Sequence, residues 1–147
     1  IHCYLNIPDS CSRDSLFQSE VRRCKSFLDV IDNNPDSRHF CVFDELYSGT
    51  NPYEAISSAY SYLNYISKNK NIKFILTTHY IKLCKLFRKH KNIKNFNMKT
   101  KSVNNNAKYS YKIIKGISKI KGGIAILKNL KYPEPVIKKA IEIMNKL

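Results

Sequence analysis

The sequence predicts an α/β fold with a largely parallel sheet clothed by helices, followed by a β-hairpin and C-terminal helices. Three observations carry that prediction. Two short apolar runs, Phe40-Cys41-Val42-Phe43 and Ile72-Lys73-Phe74-Ile75-Leu76-Thr77, lack strict polar alternation, as expected of strands covered on both faces. Segments with apolar residues at helical spacing precede, separate and follow these runs. Each run ends abruptly in polar groups, Asp44-Glu45 after the first and Thr78-His79 after the second. The alternation of helix and strand argues for crossover connections within one parallel sheet.

Each element has its own signal. Ile1–Ile7 alternates weakly like a strand, and Pro8 through Asp14 reads as a polar loop. Ser15 with Gln18 three residues on forms a capping-box pattern. Phe17, Val21, Cys24, Leu28 and Ile31 then recur at spacings of four and three, which predicts one buried helix face. Asp32 through Ser37 ends that helix. Asn51-Pro52-Tyr53-Glu54 opens the next, with Asn as cap, Pro at the first helical position and Glu at the third. Its inward residues are Ile56, Ala59, Tyr60, Leu63 and Ile66. After the second apolar run, Leu83, Leu86 and Phe87 predict a helix whose other side carries Lys82, Lys85, Arg88 and Lys89. Strands near residues 93–100 and 109–115 flank a polar segment, 101–108, which reads as a mobile hairpin loop. Residues 124–130 read as helical, and Pro133 opens a last helix with Ile137, Ala140, Ile141 and Met144 inward.

With 147 residues, 43% of them hydrophobic, the chain suits one ordinary domain or a large piece of one. It has no internal repeat and no linker long enough to divide it. Its 26 basic residues against 11 acidic ones give a formal charge of +15, which attracts polyanions but is equally the mark of a solvated, lysine-rich surface. Five dispersed cysteines, an odd total without a C-x-x-C pair, suggest neither a disulfide framework nor a zinc site, and suit a reducing compartment. The longest apolar runs fall far short of a bilayer span, and no signal peptide opens the sequence. The expectation is a soluble, intracellular protein with no membrane partner. The start at Ile1, inside a strand pattern and without Met, suggests a fragment or a processed product.

An acidic pair at the carboxyl end of a buried parallel strand sits where open α/β sheets bind ligands. In phosphoryl-transfer sites the first acid of such a pair steadies Mg²⁺ and the second polarises the attacking water. Asp44 and Glu45 fit those roles, although an acidic pair alone equally describes a solvated strand end. His79, delivered by the end of the second run, can donate to a terminal phosphate oxygen, or simply cap a helix. Ser15 can offer its hydroxyl and the free N–H groups of a helix start to a phosphate, or serve as an ordinary N-cap. No G-x-x-x-x-G-K-[S/T] phosphate loop occurs in these 147 residues.

Taken together, Ser15-Leu16-Phe17-Gln18-Ser19-Glu20, the run from Phe43-Asp44-Glu45 through Gly49-Thr50-Asn51-Pro52-Tyr53-Glu54-Ala55, and Thr78-His79-Tyr80 resemble the MutS family of DNA mismatch-repair ATPases in order and spacing. Gly123 through Leu127 and Pro133 through Ala140 resemble the segment that follows that family's ATPase sheet. The resemblance covers nearly the whole chain, and the acidic-pair motif is its most specific part. It implies a P-loop NTPase fold of ABC type, with residues 1–147 as the C-terminal half of the ATPase domain and the P-loop lying upstream. Asp44 would take the Walker B role toward Mg²⁺ through water, Glu45 would activate water, and His79 would be the switch histidine near the γ-phosphate. Ser15 would be the signature serine, reaching the nucleotide of a second MutS-like subunit. Gly49, Thr50 and Asn51 would bind nucleotide within the loop that communicates between the two sites. The cofactors implied are ATP and Mg²⁺, and the further partner is mismatched duplex DNA, gripped mainly by domains outside this sequence. The match is imperfect: Tyr47-Ser48 replaces the family's Gly-Arg after the acids, and Arg13-Asp14 precedes Ser15 where the family has Gly. In overall look the sequence resembles the divergent members of large DNA viruses. Two other readings stand beside this one: a non-catalytic nucleic-acid-binding or dimerisation module, and a helicase-type motor sharing the Asp-Glu pair.

Overall fold

A computed structural model describes residues 1–5, 15–103, 106–118 and 122–146. The predicted loop of residues 8–14 lies outside the described residues. The chain divides into two compact units, residues 1–94 and 95–147.

In the first unit, β1 (His2–Tyr4), β2 (His39–Asp44) and β3 (Ile72–Thr77) form a parallel sheet in the order β1-β2-β3. The register sets Tyr4 beside Phe43 and Asp44 beside Thr77, so the ends of β2 and β3 are flush. The connections are helical: α1 (Leu16–Asp32) and α2 (Pro52–Ile66), with α3 (Ile81–Leu86) after β3. The predicted caps form. Ser15 Oγ accepts from Gln18 N while Gln18 Oε1 accepts from Ser15 N, and Asn51 Oδ1 accepts from both Tyr53 N and Glu54 N.

Phe43 is the centre of the core. Its ring lies 5.8 Å from Tyr62 and 6.3 Å from both Tyr4 and Phe27, so β1, α1 and α2 converge on one side chain. Aromatic pairs at such spacings add to the energy of burial alone.

Three expectations are corrected here. Among the described residues of this unit the sheet is covered on one face only: Cys41 and Phe43 are buried, whereas Phe40 and Ile75 on the other face are 39% and 57% exposed. The cause is that α1 and α2 both pack on the Phe43 side, and apolar composition alone does not reveal how many faces are covered. On α1 the expected Cys24 and Ile31 are buried and Phe17 and Leu28 pack against the core, but Val21 is exposed and Glu20 and Phe27 are buried in addition. Phe27 turns inward to meet Phe43 and Glu20 is drawn in by hydrogen bonds, which leaves Val21 exposed. Leu86 is exposed because the buried face of α3 runs through Leu83 and Phe87, four residues apart and buried as expected, and Leu86 lies off it.

The second unit contains an antiparallel ribbon, β4 (Phe96–Val103) and β5 (Asn106–Lys115), followed by α4 (Gly122–Asn129) and α5 (Glu134–Lys146). The ribbon reaches further than the sequence implies, since Lys101 pairs with Lys108 and Val103 with Asn106 where a long polar loop was expected. A bulge between Met98 and Thr100 places Tyr111 at φ 54°, a conformation uncommon for a residue with a side chain. Between α4 and α5 the turn is a Schellman type, in which Lys131 takes φ 55° and Tyr132 N reaches Leu127 O at 3.1 Å. Ile137 is buried, and Ala140, Ile141 and Met144 share its sheltered side. No helix among the described residues is long and apolar enough to cross a membrane.

Candidate functional site

The flush ends of β2 and β3 bring polar side chains together. The Thr77 hydroxyl donates to Asp44 Oδ1, closing a short link between neighbouring strand ends. One residue on, Glu45 N donates to Thr77 O at 3.1 Å, which prolongs the ladder and holds the chain as it leaves the sheet. His79 Nδ1 then lies 3.3 Å from Glu45 Oε1, with side-chain exposures of 60% and 47%. The pair faces water, so its ionic attraction is weak and its geometry remains open to a ligand. His79 also tilts against Tyr80, with ring centroids 4.3 Å apart, which limits the imidazole's orientations.

The backbone after β2 is strained. Glu45 takes φ 51° and Tyr47 φ 60°, left-handed values that side chains rarely adopt. The surroundings impose them: Leu46 and Tyr47 are buried, and Tyr47 meets Tyr62 edge-on at 6.4 Å and Phe17 at 5.9 Å. The two buried residues act as anchors that turn Glu45 outward. Strain of this kind costs about 1–3 kcal/mol per residue and gathers at functional sites.

The next residues are held as firmly. Glu20, on α1, accepts from Ser48 N at 3.0 Å and Ser48 Oγ at 3.1 Å through Oε1, and from Gly49 N at 3.0 Å through Oε2. Thr50 Oγ1 donates to Glu54 Oε2 at 2.5 Å, and Asn51 caps α2. Gly49 lies flat against α1: a Cβ there would stand 2.7 Å from Phe17 N and 2.8 Å from Leu16 Cγ. Only glycine permits this approach.

The sequence-predicted residues therefore fall into two groups. Asp44, Glu45 and His79 converge with Thr77 at the strand ends. Ser15 stands at its own helix start, where it is bonded to Gln18. Gly49, Thr50 and Asn51 are in the segment that joins the two, with the Thr50 and Asn51 side chains engaged in capping contacts. Sequence reasoning gave Thr77 and Glu20 no role of their own. Aligning the two apolar runs by their ends would have paired Thr77 with Asp44, and a glutamate at helical spacing from Cys24 and Phe27 was the signal for Glu20. Chemically, the strand ends offer one half-buried carboxylate beside a hydroxyl, and one exposed carboxylate beside an imidazole. The first suits a hydrated cation, and the second suits a water or hydroxyl that must be oriented and relieved of a proton.

A family profile, MutS domain V, matches residues 1–147. The chain belongs to the MutS family. It is 35% identical over 136 residues to the DNA mismatch repair protein MutS of Parabacteroides distasonis, covering 91% of the chain and 15% of that protein. To the protein of the same name from Clostridium kluyveri it is 34% identical over 141 residues, 95% of the chain and 16% of that protein. Aquifex pyrophilus MutS is 31% identical over 133 residues, 90% of the chain and 15% of the relative. The chain thus spans 15–16% of the length of these MutS relatives. The α/β fold, with its parallel sheet and helices, agrees with the family assignment.

Proposed function

We propose that this chain is the downstream half of an ABC-type P-loop ATPase domain, working within a longer MutS-like protein of mismatch repair. The observation that carries the reading is the pairing across flush strand ends, Asp44 with Thr77 and Glu45 with His79. Asp44 is the Mg²⁺-side acid, acting through water. A lone half-buried carboxylate steadied by a hydroxyl fits that ion, which takes one or two carboxylates and fills its other positions with water and phosphate oxygens. Bound there, Mg²⁺ supplies neutralisation of the charge that develops on the transferred phosphoryl group.

Glu45 orients the attacking water and takes up its proton. His79 steadies Glu45 and donates toward the γ-phosphate from its other ring nitrogen. Ser15 presents its hydroxyl, and the N–H groups of the α1 start, to ATP held by a second MutS-like subunit, identical or not. Gly49, Thr50 and Asn51 form the segment between the two sites. The P-loop half lies upstream in the longer protein and covers the sheet face that carries Phe40 and Ile75. Without it the chain does not turn over ATP. Mismatched duplex DNA is gripped by other domains, and hydrolysis here changes their grip.

The test is the Mg²⁺ dependence of hydrolysis in the longer protein. Asp44→Asn should shift the Mg²⁺ needed for half-maximal phosphate release upward by at least tenfold, or abolish release. An unchanged Mg²⁺ titration removes Asp44 from that role.

A second reading, a non-catalytic nucleic-acid-binding module, is favoured by one observation. Residues 55–133 hold 18 lysines and arginines and not one aspartate or glutamate. Filter binding of DNA by this chain across a salt series separates the two, because binding through phosphate contacts weakens steeply with salt. Tight, salt-steep binding by the chain alone supports the module; weak binding supports the ATPase reading.

A further inference from the structure

Glu20 is 2% exposed, on the apolar stripe of a helix, where a carboxylate is costly unless its oxygens are satisfied. Both oxygens are satisfied by a single segment, the Ser48 and Gly49 backbone N–H groups with the Ser48 hydroxyl. The packing points the same way. Gly49 lies in backbone contact with Phe17, two residues beyond the Ser15 cap, and Tyr47 sits edge-on to the Phe17 ring. The first turn of α1 and residues 47–49 are therefore one clamped body. Glu45 lies only two residues before that clamp, in a left-handed conformation that leaves its backbone little freedom to absorb a shift.

On the ATPase reading, we infer that Glu20 is a positioning residue that ties the helix start presenting Ser15 to the segment that aims Glu45. Through Ser15 the clamp senses nucleotide held by the partner subunit. Through residues 47–49 it sets the reach of Glu45 toward water in its own site. The coupling needs no further moving part, because the buried carboxylate joins both elements directly.

The experiment is a double-mutant cycle in the longer ATPase, combining Glu20→Gln with Ser15→Ala. Glutamine keeps the shape of Glu20 but replaces one acceptor oxygen with an NH₂ group that faces an N–H donor. We expect Glu20→Gln to lower kcat by about tenfold to hundredfold, the scale of a small misplacement of a reacting group. ATP affinity, read by nucleotide binding without turnover, should change less than twofold. The Ser15→Ala/Glu20→Gln double variant should be no slower than the slower single variant. A purely structural role predicts independent effects that multiply, so multiplying losses overturn the inference, as does wild-type kcat in Glu20→Gln. Should Glu20→Gln fail to fold, Ser48→Ala deletes only the hydroxyl bond to Glu20 and is taken through the same cycle, with a smaller fall in kcat and the same non-multiplicative pattern expected. Failure of the ATPase reading is distinct: the wild-type assembly would then release no phosphate, or Glu45→Gln would release it at the wild-type rate.

Discussion

The two units of this chain are built on opposite principles. Residues 1–94 wrap helices on one face of a parallel sheet and bury Tyr4, Phe27, Phe43, Tyr62 and Leu63 around a single core. Residues 95–147 leave Phe96, Tyr111 and Ile113 exposed at 61%, 83% and 70%, and their ribbon has only two strands. Such ribbons are marginal by themselves in water. Charge follows the same division: the first unit carries 14 basic and 9 acidic residues, the second 12 lysines and only Glu134 and Glu142. The difference teaches where each kind of function can sit. Strained backbone and a buried carboxylate require a rigid, over-determined surround, which the first unit has. An acid-free ribbon with exposed side chains suits contact with something else.

The comparison is most easily broken at Phe43. Phe43→Ala should cost about 3–5 kcal/mol in urea unfolding, since it empties the space where β1, α1 and α2 meet. If the loss is below about 1 kcal/mol, the first unit does not owe its stability to that core.

Gly49→Ala comes next, at about 1–3 kcal/mol, because the added methyl must push on the Phe17 backbone rather than on a yielding side chain. A neutral result would mean that residues 47–49 are not held against α1.

Alkaline pH sharpens the contrast by proton linkage. Burial raises the Cys24 thiol from 9.0 to about 11, and raises Cys41, Cys84 and the hydroxyls of Tyr4, Tyr47 and Tyr62 as well. All of these groups lie in the first unit, and each holds its proton more tightly folded than unfolded. The stability they contribute is whole below about pH 9, and for Cys24 it is lost as pH rises from 9 toward 11. Urea midpoints measured across that window should fall, and Cys24→Ala should make the fall shallower.

The smallest effect belongs to the ribbon. Ile113→Ser, at a position 70% exposed, should change stability by no more than about 0.5 kcal/mol. A larger loss would show that the ribbon packs against something the exposure does not reveal.

What the sequence made legible is local or strongly periodic. The caps at Ser15 and Asn51 depend on neighbours three residues away, so they can be read directly. The runs at residues 40–43 and 72–77 stand out because a parallel strand next to a core is apolar nearly throughout. With the ends of those runs came Asp44, Glu45 and His79 as a group. Less legible was whatever depended on distant partners. On α1 the burial of Phe27 in place of Val21 is set by Phe27 meeting Phe43, sixteen residues away in sequence, and Glu20 is polar at an apolar position because its donors are 28 and 29 residues downstream. The bare face of the sheet and the long reach of the ribbon were hidden for a related reason. The alternation of Phe96-Asn97-Met98-Lys99 and of Tyr109-Ser110-Tyr111-Lys112-Ile113 marks the strands but fades into the polar segment 101–108, and an apolar residue looks the same whether or not something covers it.

On the proposed function, Glu45 activates water beside an ATP held in a longer MutS-like protein. Glu45→Gln in that protein tests it most directly, with phosphate release and ATP binding measured on the same preparation. Release should become undetectable while ATP affinity stays within about twofold of wild type. Release at the wild-type rate would contradict it.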